Sequence, residues 1–385
     1  MSQPKIVVNK HTPSVVEAFT HLGKVIALET LAVTREAVRD ADILVVRSET
    51  KVNEQLLEGS SVKFVGTVTI GTDHVDERYL ASKGITFVSA PGSNSNSVKE
   101  YIASALCVWS RRTGAPLAGK TIGVVGVGNV GSKVASAART LGLNVVLNDP
   151  PLRRKTGEEK YCTLDELMDA DFITIHVPLT KSGDDATFHL FNEARIGKMK
   201  RGAVLINTSR GPVVETNALV DALSSHHLSA SILDVWEGEP VLNTELLSRV
   251  LIGTPHIAGY SLDGKLNACR MVYEAACRFL GVQPAWNIDT SMTSESARIA
   301  VPSGMSETNE IVRSAVKQAY DIELDDTLLK KTSSLDLNEH GRYFMKLRAE
   351  YRIRREFPNR CVELSSTQSD AVNILQGLGL RISLK

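Results

Sequence analysis

The feature that most constrains this chain is a glycine-rich turn. The run Gly126-Val-Gly128-Asn-Val-Gly131 follows a strand predicted at residues 121–125 and opens a helix predicted at residues 130–141. In such a turn the first glycine permits the tight bend, the second lets a pyrophosphate approach the backbone, and the third lets the helix pack on the strand. The N–H groups at the start of the helix would face that anion. A plain tight turn could carry the same glycines, but the flanking strand and helix favour a dinucleotide site.

Asp149 indicates which dinucleotide the turn would bind. It follows a second predicted strand, residues 144–148, and stands about 20 residues beyond the glycines, where the acidic residue of such sites is expected. A carboxylate there would accept the ribose hydroxyls and repel the 2′-phosphate of NADP. The predicted cofactor is therefore NAD. Since Asp149 also precedes two prolines, it could instead be an ordinary turn residue.

Short β-branched runs alternate with helical patterns and turn glycines over most of the chain. In the first region, strands are predicted at residues 5–8, 43–46, 64–65 and 85–88. A helix is expected over residues 97–114, with Asn94 or Asn96 as its N-cap. The second region adds predicted strands at residues 172–175, 203–206 and 231–233 and a helix at 164–168. This alternation predicts an α/β protein with doubly wound parallel sheets.

The chain after residue 260 is predicted to contain a long helix, a linker and a small further domain. Apolar spacing predicts a helix over residues 261–280, ended by Gly281. Residues 289–305, rich in Ser, Thr, Pro and Gly, are interpreted as a linker. The tail beyond it is predicted to be α+β, with helices at 307–320 and 338–351 and strands at 360–363 and 380–384.

Composition excludes several classes of protein. With 43% hydrophobic and 23% charged residues, the chain resembles neither disordered nor collagen-like sequences. Lys and Arg number 44, as do Asp and Glu, so no net charge attracts nucleic acid. Five cysteines without a C-x-x-C spacing imply neither a disulfide framework nor a zinc site, and no metal is predicted. Without a secretion signal or a run of about 18 apolar residues, we expect a cytoplasmic protein with no membrane partner.

Polar segments are predicted at the carboxyl ends of three strands in the second region, where open α/β sheets bind ligands. Arg210, Glu239 and His256 lie in these segments, which are residues 207–211, 234–240 and 253–260. The three side-chain types suit the oxidation of a 2-hydroxy acid. A guanidinium can hold a carboxylate or polarise a carbonyl, an imidazole can take the hydroxyl proton, and a carboxylate can orient the ring. Hydride would pass directly to the nicotinamide.

Each of these residues also has an ordinary interpretation. Arg210 alone could be a salt-bridge residue, Glu239 before a proline could be a solvated loop residue, and His256 could be a hydrogen-bonded structural histidine. Their joint placement on three strand-end loops favours catalysis.

The first region contains a candidate site for an anionic substrate. Arg47 and Ser48 stand at the end of a predicted strand, and Thr69 lies in a polar, glycine-containing loop over residues 67–72. Such a loop suits the oxygens of a carboxylate or phosphate. The alternative is an arginine at a sheet edge followed by an ordinary turn.

Several motifs together resemble the D-isomer-specific 2-hydroxyacid dehydrogenase family. They are G-V-G-N-V-G, N-x-S-R-G-x-V-V, L-D-V-W-E-G-E-P and G-T-P-H-I-A-G-Y. The resemblance runs over nearly the whole chain and is strongest over residues 42–281. Residues 46–53 and 64–76, the Asp-Pro-Pro at 149–151 and the C-terminal extension are similar to a subfamily that acts on a phosphorylated four-carbon 2-hydroxy acid.

The resemblance implies roles for individual residues. Arg210, Glu239 and His256 would be catalytic, with His256 as the proton acceptor and donor. Ser48, Thr69 and Tyr260 would contact the substrate, and Arg47 joins them from the candidate anion site described above. Asp149, Val177, Asp234 and Gly259 would contact the cofactor. The predicted cofactor contacts are completed by the glycine turn, Gly126, Gly128, Asn129, Val130 and Gly131, and by Thr208, Ser209 and Arg210.

The resemblance also implies a domain organisation. A Rossmann domain for NAD would span residues 94–256. A flavodoxin-like substrate domain would span residues 1–93 and be completed by residues 257–288. A small α+β dimerisation domain at residues 289–385 would make the protein a homodimer. The chain departs from the family pattern at Ser93-Asn94-Ser95 and at Val177, and neither departure removes a catalytic group.

The tail carries a basic segment, residues 342–355. We interpret it as an amphipathic helix that buries Phe344, Leu347 and Tyr351 and leaves its basic face solvated or beside a partner subunit. A nucleic-acid surface is the alternative interpretation.

Three functions compete at this point. The first is NAD-dependent oxidation of a small, phosphorylated 2-hydroxy acid. The second is the same chemistry on another acid, such as a phosphoglycerate, glyoxylate or hydroxypyruvate. The third is an NAD-sensing binding protein of the same fold that performs no turnover.

Overall fold

The computed structural model describes residues 3–288 and 297–385. These residues form two compact units, residues 3–94 with 261–288 and residues 95–260 with 297–385. The assignment of substrate binding, cofactor binding and dimerisation to three separate domains stays a prediction. Within the described ranges, no helix is both long and apolar enough to span a membrane.

The first unit is built on a five-stranded parallel sheet. Its strands, β1 to β5, are Lys5–Asn9, Lys24–Leu28, Ile43–Val46, Phe64–Thr67 and Thr86–Val88. Their spatial order, β2-β1-β3-β4-β5, is flavodoxin-like, as predicted. The helices of this unit are Val15–Thr20, Arg35–Val38, Glu54–Leu57, Glu77–Ser82 and Leu262–Leu280, with a 3-10 turn at Thr30–Ala32.

The helix Leu262–Leu280 shows why its sequence could be interpreted directly. The Ser261 hydroxyl caps its start by accepting from the Gly264 N–H at 2.8 Å, and Gly281 ends it in the left-handed region with φ 68°. The helix packs closely on β4, because a Cβ at Gly66 would lie 2.3 Å from a methyl carbon of Val272. The strand β4 is buried along its whole length, as expected for a parallel sheet covered on both faces.

The second unit contains a six-stranded parallel sheet. Its strands, β6 to β11, are Thr121–Val125, Asn144–Asn148, Phe172–Ile175, Val204–Asn207, Ala230–Leu233 and Ile252–Gly253. The order β11-β10-β9-β8-β6-β7 reverses direction at β6, which confirms the predicted doubly wound sheet. The accompanying helices are Ser95–Thr113, Asn129–Thr140, Pro150–Thr156, Glu193–Lys198, Thr216–Ser224 and Thr244–Arg249, with 3-10 turns at Asp165–Leu167 and Gly211–Val213.

The tail forms the predicted small C-terminal domain with a sheet of its own. Its strands, β12 to β14, are Ala297–Ala300, Arg360–Leu364 and Arg381–Leu384, all parallel and paired in that order. The tail helices are Thr308–Ala319, Ile322–Lys330, Leu337–Ala349 and Val372–Leu378, with 3-10 turns at Lys331–Ser334, Phe357–Asn359 and Ser366–Ala371. Apolar residues of this tail share one hydrophobic cluster with the helix Ser95–Thr113. The tail therefore packs within the second unit.

Some local predictions were wrong. The first part of the predicted linker, residues 289–296, lies outside the described residues, but residues 297–300 form β12 instead of a linker. This strand exists because it pairs with β13 about sixty positions away, which local composition cannot reveal. The predicted helix at 164–168 is only a 3-10 turn, Asp165–Leu167. Asn96, offered as an N-cap, lies inside a helix that begins at Ser95.

The basic segment of the tail also differs from its interpretation. Phe344 is buried on the helix Leu337–Ala349 as expected, and Leu347 packs beside it. Tyr351, however, lies beyond the end of this helix. Arg354 is only 3% exposed, so the basic side chains do not form one solvated face.

Candidate active site

Three neighbouring strands position the candidate catalytic side chains. β9, β10 and β11 lie side by side, and the loops after them carry Arg210, Glu239 and His256 respectively. The loops are joined at their start, since the Asp234 N–H donates to the Asn207 carbonyl at 3.0 Å and the His256 N–H donates to the Asp234 carbonyl at 2.7 Å. The carboxyl edge of the sheet therefore gathers all three segments.

Glu239 and His256 form a direct pair. His256 Nδ1 lies 2.5 Å from Glu239 Oε1, and Glu239 Oε2 accepts from the Trp236 N–H at 3.1 Å. Burial alone would raise the pKa of the Glu239 carboxyl, but the hydrogen bond and charge of His256 outweigh burial and lower it. An ionised Glu239 fixes the tautomer with the proton on Nδ1, which leaves Nε2 as the nitrogen that can exchange a proton.

The backbone of His256 is held in an unusual conformation. Its φ of 56° lies in the left-handed region, which a non-glycine residue adopts only when its surroundings enforce it. Asp234 supplies much of that enforcement. Its carboxylate accepts from the N–H groups of Ile257 at 2.7 Å and Ala258 at 2.9 Å and from the Thr254 hydroxyl at 2.6 Å.

Asp234 is almost fully buried, at 1% exposure. Burial raises the pKa of its carboxyl above the ordinary value, although the charge of His256 and the hydrogen bonds to the carboxylate act in the opposite direction. Sequence reasoning gave Asp234 to the cofactor. In the structure its carboxylate anchors the loop of His256, and a contact with the cofactor stays a prediction.

Arg210 lies on a loop that packs against the loop of Glu239. The Arg210 carbonyl accepts from the Asn207 side chain at 2.9 Å, and its guanidinium donates to the Ser209 carbonyl at 2.8 Å. A Cβ at Gly211 would lie 2.0 Å from the carbonyl carbon of Trp236, so only glycine allows this approach. The loop of Glu239 thus lies between the loop of Arg210, which packs against it, and His256, which bonds to it.

The glycine turn fits the pyrophosphate of a dinucleotide. Gly126 has φ 86°, and a Cβ there would lie 2.6 Å from the His176 carbonyl oxygen. A Cβ at Gly131 would lie 1.9 Å from the Gly126 carbonyl oxygen, so the helix can approach the turn only with glycine at that position. A Cβ at Gly128 would meet no described protein atom within 4 Å, which leaves the mouth of the turn open. The helix then begins with Asn129 and Val130, and the N–H groups of its first turn are those that can bind an anion at the turn.

Asp149 lies beside this turn. Its Oδ2 accepts from the Val127 N–H at 2.8 Å, and its Oδ1 accepts from the Leu152 N–H at 2.9 Å. Asp149 therefore caps the helix Pro150–Thr156, which the sequence analysis missed, and is more than a turn residue before two prolines. On the neighbouring strand end, Val177 contacts the position where a Cβ of Gly126 would stand, at 2.9 Å.

The candidate substrate residues of the first unit follow β3 and β4. Arg47 forms an ion pair with Glu49 at 3.3 Å, and Ser48 lies between them. Thr69 Oγ1 lies 2.7 Å from Thr67 Oγ1 and donates to the Gly71 carbonyl at 2.9 Å. The loop is therefore a hydrogen-bonded turn. This geometry agrees both with an anion-binding loop and with an ordinary turn, so the substrate role stays a prediction.

Comparison with known proteins identifies the family. The chain is 41% identical to the erythronate-4-phosphate dehydrogenase of Cellvibrio japonicus over 98% of its length and 99% of that protein. It is 43% identical to the enzyme of the same name from Bacteroides fragilis, over 91% of this chain and 97% of that one. The chain belongs to the D-isomer-specific 2-hydroxyacid dehydrogenase family. Within it, the chain groups with the erythronate-4-phosphate dehydrogenases.

Family models agree with this placement in the D-isomer-specific 2-hydroxyacid dehydrogenases. Residues 90–258 match the NAD-binding domain of the family, and residues 293–379 match a domain of unknown function. A D-lactate dehydrogenase from Aquifex aeolicus, solved with NAD and lactic acid, shares 29% identity and a TM-score of 0.60, over 72% of this chain and 95% of that one. An NAD-dependent formate dehydrogenase from Staphylococcus aureus, solved with NAD, shares 26% identity and a TM-score of 0.60, with coverage of 72% and 95%. The chain is an NAD-dependent oxidoreductase.

Sequence reasoning missed one histidine, His176, beside the glycine turn. His176 follows β8, and its ring lies 3.3 Å from Thr208 Oγ1 and 3.0 Å from Thr174 Oγ1. Burial lowers the pKa of His176 to about 3, so the ring is neutral near pH 7. Its carbonyl lies against Gly126, and His176 therefore joins the glycine turn to Thr208. Only its place directly after a predicted strand could have drawn attention to it.

Proposed function

We propose that this protein oxidises 4-phospho-D-erythronate at C2 with NAD, giving (3R)-3-hydroxy-2-oxo-4-phosphooxybutanoate, in the biosynthesis of pyridoxal 5′-phosphate. The observation that carries the chemistry is the His256–Glu239 pair, at 2.5 Å, together with the packing of the Glu239 loop against the loop of Arg210. The choice of substrate is supported by similarity to erythronate-4-phosphate dehydrogenases, which extends through the tail.

The proton step follows from the hydrogen bond that Glu239 accepts. With Nδ1 engaged by Glu239, Nε2 of neutral His256 accepts the proton of the C2 hydroxyl. The Glu239 carboxylate stabilises the imidazolium that results. The Arg210 guanidinium binds the substrate carboxylate and the developing C2 carbonyl oxygen. When bound, NAD supplies the acceptor of the C2 hydride.

The remaining site residues take the roles that the motifs and the family resemblance together predict. Arg47, Ser48, Thr69 and Tyr260 contact the anionic substrate. The glycine turn holds the cofactor pyrophosphate and Asp149 its ribose. The other proposed cofactor contacts are Asn129, Val130, Val177, Thr208, Ser209, Arg210, Asp234 and Gly259.

Assembly and location belong to the same proposal. We expect a cytoplasmic homodimer that forms through the tail. The tail exposes several large apolar side chains, which supports this expectation: Leu337 is 75% exposed, Ile353 77% and Leu384 60%.

The proposal is tested with purified protein on a panel of 2-hydroxy acids with and without a terminal phosphate. NADH formation is followed in the forward direction and NADH consumption with the 2-keto acids in reverse, so that slow cofactor release does not hide activity. The highest kcat/KM is expected for 4-phospho-D-erythronate. Preference for an unphosphorylated acid would give the enzyme another substrate, and saturable NADH binding without any turnover would indicate a sensor protein.

A further inference from the structure

The tail binds the loop of His256 directly. Three tail side chains hold this loop, which spans residues 253–260, on both sides of the histidine. Asp326 accepts from the Gly253 N–H at 2.8 Å, Arg354 donates to the Ala258 carbonyl at 3.2 Å, and Arg348 donates to the Tyr260 hydroxyl at 3.1 Å. These contacts all lie within the second unit.

Arg354 has the most specific surroundings of the three. Its guanidinium donates through Nη1 to the Ala258 carbonyl and through Nη2 to the Ser97 carbonyl, the latter at 2.6 Å. It lies 3.6 Å from Glu100 and 3.7 Å from the ring centroid of Tyr320. The side chains of Arg354 and Glu100 are 2% and 0% exposed. Burial raises the pKa of the Glu100 carboxyl to about 8, although the charge of Arg354 acts in the opposite direction. Burying a guanidinium beside such a group is costly, and replacing a buried pair with apolar residues often costs no stability, so the need for stability alone does not explain this arrangement.

A short series of bonds connects Arg354 to the reacting imidazole. The Ala258 N–H donates to the Asp234 carboxylate while the Ala258 carbonyl accepts from Arg354, so both polar groups of this residue are held. Two positions earlier, His256 has its left-handed backbone and its 2.5 Å bond to Glu239. A strained backbone of this kind persists only where the surroundings over-determine it.

We propose that Arg354 is a positioning residue for the reaction, which fixes Ala258 and thereby keeps His256 aligned with Glu239. The tail then contributes to turnover in addition to any role in dimerisation. This inference rests on the proposed role of His256 as proton acceptor. Through Arg354, the tail holds the loop that carries this histidine.

The test is a double variant, Arg354→Met with Glu100→Gln. It removes the guanidinium without leaving a buried carboxylate unpaired, which would otherwise threaten folding. We expect a folded protein with kcat lowered about 10- to 100-fold, because small misplacements of a catalytic group cost about that much. The Kd for NADH and the KM for the hydroxy acid should change by less than about threefold, since Arg354 contacts neither in this account.

Arg352→Gln is the matched control. Arg352 lies two residues away in the same tail, pairs with Asp325 and donates to the Asp321 carbonyl at 2.9 Å. Its described bonds do not reach residues 253–260. We expect a lower melting temperature at most, with kcat unchanged.

A folded double variant with wild-type kcat would overturn the proposal. If the double variant does not fold, Arg354→Lys replaces it, because lysine keeps a charge for Glu100 but cannot bind the Ala258 and Ser97 carbonyls together. A tenfold lower kcat supports the proposal, and full activity overturns it.

Amide hydrogen exchange over residues 254–260 gives a readout without substrate. Exchange should be faster in the Arg354 variants than in wild type, and equal rates would contradict the positioning role. All variants are assayed with whichever 2-hydroxy acid the wild type oxidises fastest. If 4-phospho-D-erythronate is not the substrate, the role of Arg354 is therefore still tested.

Discussion

The second unit contains two His–Glu pairs with similar N···O distances but different ring nitrogens. His256 Nδ1 lies 2.5 Å from Glu239 Oε1, and His189 Nε2 lies 2.6 Å from Glu237 Oε1. Both histidines have a left-handed backbone, with φ 56° for His256 and 48° for His189. Their side chains are similarly exposed, at 29% and 30%. In both pairs burial alone would raise the pKa of the glutamate, and the histidine lowers it.

The surroundings of the two pairs differ. Glu237 also accepts from the Thr216 N–H at 3.1 Å, at the start of the helix Thr216–Ser224, and the ring of His189 stacks on Phe188 at 4.0 Å. The second pair therefore fastens a helix start to a loop. His256 instead follows β11, the outermost strand of the parallel sheet, at the carboxyl ends of the strands where such sheets bind ligands, and its loop lies beside the loop of Glu239. The proposed catalytic role of the His256–Glu239 pair therefore rests on its place in the sheet and on the ring nitrogen that the glutamate engages.

The largest expected difference between the two pairs is in turnover, when each imidazole is removed in a separate variant. His256→Ala should lower kcat by roughly 10²- to 10⁴-fold, because the proton acceptor is lost, while the Kd for NADH stays nearly the same. His189→Ala should leave kcat within about twofold of wild type, since that ring contacts only structural partners. Steady-state kinetics and NADH titration measure both. Equal losses in the two variants would remove the distinction between the pairs.

The second effect concerns the two carboxylates. Glu239→Gln should lower kcat roughly 10- to 100-fold, because an amide orients the ring but stabilises the imidazolium poorly. Glu237→Gln should have close to wild-type kcat. A normal rate for Glu239→Gln would mean that His256 works without its partner.

The smallest expected effect is on stability. Here the His189–Glu237 pair, which should matter little for turnover, is expected to matter. Glu237→Gln should reduce the free energy of unfolding by about 1 kcal/mol at pH 7, because a charged acceptor shared by His189 and Thr216 is lost. The folded-state pKa of Glu237 is lowered from 4.5, so its stabilisation is present above that pH and is lost as the pH falls through the folded value. Urea unfolding from pH 6 to pH 3 should therefore show a steeper loss for wild type than for the variant. Parallel curves would contradict this.

Local signals account for much of what the sequence predicted. The glycine turn, the buried β-branched strands and the capped helix Leu262–Leu280 each depend on residues that are neighbours in the chain. The same holds for the three strand-end loops, because parallel strands place their carboxyl ends together. These parts could be predicted without knowing any distant contact.

What the sequence did not predict depends on residues far apart. Arg354 meets Ala258 across 96 positions, and Asp326 meets Gly253 across 73. His189 is 48 positions from Glu237. The anchoring by Asp234 was also missed, because a carboxylate in a motif predicts a ligand contact as readily as a bond to nearby N–H groups. Neither composition nor spacing reports such contacts.

The most direct test of the central claim is the pH dependence of kcat/KM for wild type, Glu239→Gln and Glu237→Gln. Removing the Glu239 carboxylate takes away the negative charge that stabilises the imidazolium formed when His256 accepts the proton. The acidic limb of the profile should shift in Glu239→Gln and stay in place in Glu237→Gln. An unchanged limb in Glu239→Gln, or an equal shift in both variants, would contradict the assignment of His256 and Glu239 as the proton-transfer pair.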